Sequence, residues 1–164
     1  MTRVDALRKE FTRETTTARR HLERLPTEQF DWRPHPKSST AGQLASHIVD
    51  CIRWVEPIFG ADELDYDQRP MKPSAIASPA DLLRCFDDEL SRAMQAMQNT
   101  PDIHADQSWR LKMRGKVWFE KSREDAFRDM TLHHIIHHRG QFTVYLRLLN
   151  VAVPGSYGPT ADER

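Results

Sequence analysis

The 164-residue chain lacks several features that would define its class at once. It contains no run of eighteen or more apolar residues, which argues against a membrane-spanning helix. Lysine plus arginine and aspartate plus glutamate number 24 each, so no net positive charge attracts the chain to nucleic acid or to an anionic membrane. We therefore expect a soluble protein of one domain, residues 1–164, with neither a membrane nor a nucleic acid as its partner.

Cysteine is scarce as well. Cys51 and Cys85 lie far apart and form no Cys-x-x-Cys motif, which excludes a disulfide framework. We expect both thiols to pack as small hydrophobic side chains. The first residues turn charged and amphipathic at once, unlike the apolar core of a signal peptide. These features predict a cytoplasmic protein.

Four stretches have the spacing of amphipathic helices, and they predict an all-α fold in which four helices form a bundle. The first stretch ends at Pro26, and the second begins with a capping box at Thr40 and Gln43 and continues to Pro57. The third has Ser78 as its N-cap, with a proline at the first helical position. The fourth runs from about Ser122 to Asn150.

A small β-hairpin is predicted before the last helix, because apolar and basic residues alternate on both sides of Arg114-Gly115. Its basic residues are interleaved with tryptophans, as on some surfaces that bind single-stranded nucleic acid: Trp109, Arg110, Lys112, Arg114, Lys116 and Trp118. The zero net charge favours a solvated ribbon face instead. The segment from Gly60 to Ala77 has little periodic signal and is predicted to be a surface loop.

Half of the eight histidines lie between positions 133 and 138, inside the fourth helix. Imidazoles four residues apart on a helix lie nearly above one another and can bind one metal ion. Two registers fit a buried seam, one through Phe127, Thr131, His134, His138, Gln141, Tyr145 and Leu148, the other through Met130, His133, His137, Gly140 and Val144. Periodicity alone does not choose between them.

A third imidazole, His47, lies on the apolar face of the second predicted helix. Three neutral imidazoles leave the full charge of a divalent ion in place, so the ion would act as a strong Lewis acid. The chain has neither the Glu-x-x-His pairs of di-iron bundles nor a His-Glu-x-x-His protease motif. Roles for Glu14, Gln141 and Tyr145 stay open: Glu14 could pair with a ligand imidazole or reach solvent, whereas Gln141 and Tyr145 could face the open coordination position or pack in the core with a hydrogen bond.

Several motifs together resemble the DinB family of the DinB/YfiT-like superfamily. They are His-His-Arg-Gly-Gln at 137–141, the segment 144–149 that follows it, the stretches 22–26 and 30–38, the helix with His47, and the tail 153–163. The resemblance covers nearly the whole chain. It implies an up-and-down four-helix bundle with a long crossover. It also implies a divalent ion, zinc or nickel, bound by His47, His134 and His138.

The resemblance implies less about the reaction. Relatives include metal-dependent transferases and isomerases that use low-molecular-weight thiols, so a thiol-dependent S-transferase acting on a small-molecule substrate is the first hypothesis. A metal-dependent hydrolase would use the same three histidines. A stress-responsive, non-enzymatic binding module with a structural metal is a further alternative. The resemblance also implies a homodimer.

Overall fold

The computed structural model describes residues 2–163 and is mostly helical, with four longer helical segments and a small sheet. Helix α1 spans Arg3–Leu22 and begins with a capping box between Thr2 and Asp5. Helix α2 spans Ala41–Ile52, α3 spans Val55–Gly60 and α4 spans Pro79–Gln98. Helix α5 spans Arg123–Phe127 and α6 spans His133–Leu148, with a π-helical turn at Arg128–Leu132 between them. Short 3-10 helices lie at Thr27–Gln29 and Asp102–Asp106.

The helix starts predicted at Thr40 and Ser78 are confirmed. Thr40 and Gln43 exchange side-chain and backbone hydrogen bonds, and the Ser78 hydroxyl accepts a hydrogen bond from the backbone N–H of Asp81. The end predicted at Pro57 is wrong: α2 stops at Ile52, and Pro57 lies inside α3. Proline is tolerated there because the first-turn N–H groups of a helix have no intrahelical acceptor.

The last helical stretch departs from the predicted seam because of its π-helical turn. A π turn holds one residue more than an α turn, so the buried register moves by one position after Thr131. The fully buried residues of α6 are Ile135, Arg139, Phe142 and Leu146. Of the predicted seam, Gln141 and Leu148 are exposed, and His134, His138 and Tyr145 are half-buried. The histidines therefore lie at the edge of the core.

The long helices enclose one apolar core. Helix α1 packs against α4 and α6, and α2 packs against the same two helices from the other side. Phe11, Ile48, Phe86 and Phe142 are fully buried between them. Burying an aromatic or large aliphatic side chain stabilises a fold by roughly 1.5–3 kcal/mol, so this core holds α2 and α6 in register. No helix within residues 2–163 is long and apolar enough to cross a membrane.

A three-stranded sheet replaces the predicted two-stranded hairpin. Strands β2, Ser108–Met113, and β3, Lys116–Ser122, pair antiparallel, and β1, Glu63–Asp65, pairs with β2 in parallel. The turn between β2 and β3 uses positive φ angles of 53° and 68° at Arg114 and Gly115. Strand β1 lies in the segment predicted to be a loop, because three residues are too few to give a periodic signal.

Candidate metal centre

Helix α2 places His47 beside the last helix. The Thr40 side chain accepts a hydrogen bond from the Gln43 backbone N–H at 3.1 Å, and this cap fixes where α2 begins. His47 and Cys51 are one turn apart and share a face of the helix. Cys51 is 1% exposed, whereas His47 lies at the surface. On this face of α2, Cys51 therefore lies in the core and His47 at the solvent-exposed surface.

The π-helical turn carries His134 to the same place. The Thr131 hydroxyl donates a hydrogen bond of 3.2 Å to the carbonyl oxygen of Cys51, which docks the turn against α2. Burial and the neighbouring His47 lower the pKa of the His134 imidazole, and the backbone carbonyl of Met130, one turn earlier, opposes them. Nε2 of His134 lies 3.3 Å from Nε2 of His47. π-helical turns are frequent at functional sites, and this one orients a candidate ligand.

His138 is oriented by Gln141, three residues later on α6. Its Nδ1 lies 2.8 Å from Oε1 of Gln141. An amide oxygen only accepts hydrogen bonds, so Nδ1 carries the proton and Nε2 keeps a free lone pair. Metal-binding histidines commonly donate their second ring N–H in this way, which fixes the tautomer. Gln141, whose role the sequence left open, thus contacts a candidate ligand directly.

The rings of the three histidines predicted from sequence lie close together, but the donor atoms that all lie within 4.8 Å of one another are those of His47, His134 and Cys51, and His138 is not in that group. Their ring centroids are 5.0 Å apart for His47 and His134, 4.5 Å for His47 and His138, and 4.7 Å for His134 and His138. The alternative pair, His133 and His137, is exposed. The side chain of His133 is 64% exposed and lies 3.6 Å from Asp129, and the ring of His137 lies 4.8 Å from that of His138 but outside the donor group.

Cys51 belongs to this cluster, although the sequence analysis assigned it only a packing role. Its Sγ and one ring nitrogen each of His47 and His134 all lie within 4.8 Å of one another. Burial raises the pKa of the Cys51 thiol to about 12, with a smaller contribution from Asp50. A sequence signal did exist, because the spacing His47-x-x-x-Cys51 is that of two ligands on one helix face.

The surroundings of all three imidazoles favour the neutral form. Burial lowers the pKa of each below its ordinary value of 6.5. A second cause acts in the same direction, since each ring lies beside another imidazole of the cluster. Neutral imidazole is the form that binds metal ions, so the cluster keeps its donors available under physiological conditions.

Two cavities open beside His47. One, of about 440 Å³, is lined by Ser38, Ser39, Leu44, His47, His138, Gln141, Val144 and Tyr145. The other, of about 580 Å³, extends from His47 past Ser46 and Asp50 to Arg33 and Ile76. Both are in the size range of small-molecule sites. His47 and Ser39 border both cavities, so small molecules in the two would meet at the histidine cluster.

The family model of the DinB family matches the sequence over residues 1–164. The chain belongs to the DinB family. This confirms the resemblance stated from the motifs. A comparison of the sequence with curated proteins finds no match.

Two solved DinB-like structures share the fold. The chain is 22% identical to a DinB-like protein from Bacillus cereus ATCC 10987, with a TM-score of 0.73 over 91% of this chain and 94% of the other. It is 16% identical to a DinB-like protein, YjoA, from Bacillus subtilis, with a TM-score of 0.68 over 97% of this chain and 99% of the other. At these identities the likeness establishes the DinB-like fold alone.

The donors of this DinB chain fit a divalent ion of zinc or nickel type. Two ligands bound at about 2.0–2.1 Å in a tetrahedral site stand about 3.3 Å apart. The Nε2 atoms of His47 and His134 are separated by 3.3 Å. Nitrogen and sulfur donors suit such ions, whereas magnesium and calcium prefer oxygen. The position is therefore a candidate metal site by both spacing and chemistry.

Glu14 of the DinB chain takes neither role considered from sequence. It is 1% exposed, and its Oε2 lies 2.8 Å from Nη1 of Arg139, a residue of α6 that is itself 2% exposed. The Tyr157 hydroxyl donates a second hydrogen bond of 2.7 Å to the same oxygen. Glu14 therefore neither supports a ligand imidazole nor reaches solvent. An acid inside the core needs cations and a donor: Arg13, its neighbour in the chain, donates to Oε1 at 3.1 Å, while Arg139 and Tyr157 come from distant parts of the chain.

Tyr145 also has a defined partner in the DinB fold. Its hydroxyl donates a hydrogen bond of 3.2 Å to the backbone carbonyl of Ser39, and its ring meets Trp32 edge to face at 5.7 Å between centroids. The side chain therefore joins α6 to the segment that precedes α2. It forms a wall of the smaller cavity, and its hydroxyl proton is already engaged.

The surface considered for nucleic acid is divided by the fold. Trp109 is fully buried, and its indole N–H donates to the carbonyl of Pro57 at 3.0 Å, so it cannot stack on a base. Arg110 and Lys112 both form ion pairs with Glu63 on β1, at 3.1 and 2.6 Å. Trp118 stays 64% exposed at the tip of the sheet. The basic and aromatic residues considered for nucleic acid therefore do not form one continuous surface, because Trp109 is buried and Glu63 pairs with the two basic residues between Trp109 and Met113.

Proposed function

We propose that this DinB-family protein is a divalent-metal-dependent enzyme whose ion is held by His47, His134 and His138. The convergence of three imidazole rings, one of which, that of His47, borders two cavities, carries the proposal. The donor set favours zinc or nickel. Histidine clusters with this spacing and an open side are typical of catalytic rather than closed structural sites.

The reaction we propose is transfer of a low-molecular-weight thiol to an electrophilic small molecule. A bound ion would supply the Lewis acidity that keeps a thiol deprotonated near neutral pH. The sulfur forms a bond to the electrophilic carbon while the bond to the leaving group breaks with its electron pair. The proton lost by the thiol goes to solvent or to the leaving group.

The residues around the cluster have separate tasks in this proposal. Gln141 holds His138 with Nδ1 protonated, and His47 borders both cavities. The two cavities give the two reactants separate places that meet at the histidines. A hydrolase would use water as the nucleophile and would need only one of them. The second cavity is therefore the observation that favours transfer over hydrolysis.

Elemental analysis of untagged protein, followed by a screen of thiols against electrophilic substrates, tests this function. Turnover that requires both metal and thiol supports transfer, and turnover with metal and water alone supports hydrolysis. If no turnover is found and chelation strongly lowers the melting temperature, the ion is structural and the protein is a binding module. Absence of bound metal after loading would contradict the whole proposal.

The proposal extends to topology, assembly and location. The packing of α1 and α2 against both α4 and α6 supports an up-and-down four-helix bundle with a long crossover. Val144 and Leu148 on α6 are 57% and 56% exposed and offer an apolar face for a homodimer. A cytoplasmic location would supply the low-molecular-weight thiol. Light scattering during gel filtration gives the oligomeric state directly.

A further inference from the structure

Cys51 is the one side chain of the histidine cluster that the proposed function does not use. It is 1% exposed, and its sulfur and one ring nitrogen each of His47 and His134 lie within 4.8 Å of one another. On α2 it precedes Ile52 and lies one helical turn after His47, on the same face of the helix. Apolar packing alone does not explain why a metal-binding atom occupies this position beside two imidazoles.

The placement of Cys51 relative to the cavities is informative. His47 lines both cavities and His138 lines one of them, whereas His134 and Cys51 line neither. Because Cys51 is 1% exposed while His134 is half-buried, the thiol is the donor on the core side of the cluster, away from the space that small molecules can enter. The hydrogen bond from Thr131 to the Cys51 carbonyl ties this part of α2 to the π-helical turn that carries His134. Helix α2 and the π-helical turn before His134 are thus held together close to the Cys51 sulfur.

Resting on the proposed metal function, we propose that Cys51, as the thiolate, is a fourth protein ligand of the ion and binds it from the core side. On metal binding the thiol releases its proton to solvent and forms a sulfur–metal bond. The charge of the ion with its protein ligands falls from two positive to one positive. The cavity side stays available to substrate, since catalytic zinc sites can expand to five ligands.

Two consequences distinguish this site from one made of three histidines. A thiolate is a soft ligand, so the site prefers zinc, cobalt or nickel over magnesium and manganese. The lower net charge also weakens the Lewis acidity of the ion, which suits stabilising a substrate thiolate better than activating water. The ligand set would therefore favour the transferase over the hydrolase.

Cobalt substitution tests the assignment without relying on activity. The full-length protein is stripped with a chelator and titrated with Co²⁺ under anaerobic conditions, and the near-ultraviolet thiolate-to-cobalt charge-transfer absorption is recorded. The variants are C51S and, as the matched control, C85S, because Cys85 lies outside the cluster. We expect the absorption in wild type and C85S and its complete loss in C51S. We also expect C51S to bind Co²⁺ at least about tenfold more weakly, the lower bound for losing even an outer partner of a metal ligand.

The outcomes separate this inference from the proposed function. If wild type binds Co²⁺ without the charge-transfer absorption, Cys51 is not a ligand and the three-histidine proposal stands. If wild type binds no Co²⁺, the proposed function fails and this inference with it. X-ray absorption of zinc-loaded wild type needs no variant and covers the case in which C51S does not fold. One sulfur at about 2.3 Å supports the inference, and only lighter atoms at about 2.0–2.1 Å overturn it.

Discussion

The guanidinium of Arg139 lies 2.8 Å from the carboxylate of Glu14 in the interior of the protein, where the two side chains are 2% and 1% exposed. A second guanidinium nitrogen of Arg139 donates a hydrogen bond of 2.7 Å to the Tyr157 hydroxyl, which donates in turn to Glu14. Arg139 directly follows His138 along α6. The buried pair therefore joins α1, the C-terminal tail and the helix that carries two candidate ligands.

Replacing Glu14 with glutamine should lower the free energy of unfolding by about 3–5 kcal/mol, because it leaves a buried guanidinium without its counter-charge. Denaturant unfolding measures the change. E10Q is the matched control, since Glu10 lies one turn earlier on α1 and forms no ion pair within residues 2–163. We expect E10Q to stay within about 0.5 kcal/mol of wild type. An E14Q variant as stable as wild type would contradict the assigned role of the pair.

The same pair predicts a loss of stability in acid. Burial acts to raise the pKa of Glu14, but hydrogen bonds from Tyr157 and Arg139 outweigh it, and the pKa lies below the ordinary value of 4.5. The stabilisation is therefore complete above about pH 4.5 and is lost as the pH falls through the folded-state pKa. Melting temperatures between pH 6 and pH 3, compared with E14Q, isolate this contribution. The difference between the two proteins should shrink toward low pH.

Replacing His138 with alanine should remove the metal from purified protein. The change deletes one imidazole of the site, and the donors that remain, His47, His134 and the proposed Cys51 thiolate, hold a divalent ion too weakly to keep it through purification. Elemental analysis of wild type, H138A and H137A provides the comparison, because His137 is the adjacent exposed histidine. H137A should keep the metal content of wild type. Full occupancy in H138A would refute the ligand assignment.

Replacing Gln141 with leucine should weaken metal binding by roughly 10–100-fold, the usual effect of losing a partner that orients a metal ligand. The reason is the 2.8 Å contact between the Gln141 amide oxygen and Nδ1 of His138, which fixes the tautomer. Q141E keeps an acceptor at this position and should bind metal close to wild-type affinity. Competition with a chelator of known affinity measures all three proteins. Equal affinities for Q141L and wild type would show that Gln141 only packs.

Local signals in the sequence predicted the helix starts and the family. The capping residues Thr40 and Ser78 act on N–H groups within three residues, so their effect does not depend on the rest of the fold. The motif around Arg139-Gly140-Gln141, together with the other stretches that resemble the family, identified it. The positions of His134 and His138 followed from that resemblance, not from periodicity.

Other features depended on contacts far apart in the chain. The parallel pairing of β1 with β2 joins residues 63–65 to residues 110–112, and a three-residue strand has no pattern of its own. The π-helical turn moved the buried register by one residue and so placed Arg139 and Phe142, not His138 and Gln141, in the core. Hydrophobic periodicity assumes a regular helix and cannot detect such an insertion.

By itself, the sequence determined four helical stretches, where two of the helices begin, and the family, whose resemblance supplied three histidines as candidate ligands. The helix signals follow from chemistry carried by neighbouring residues. Only the tertiary structure decided that Cys51 joins the histidines, that Glu14 pairs with Arg139 and that Trp109 is buried. The physical reason is that a side chain's partner, and hence its charge state and role, is set by which distant residues share its surroundings once the core has formed.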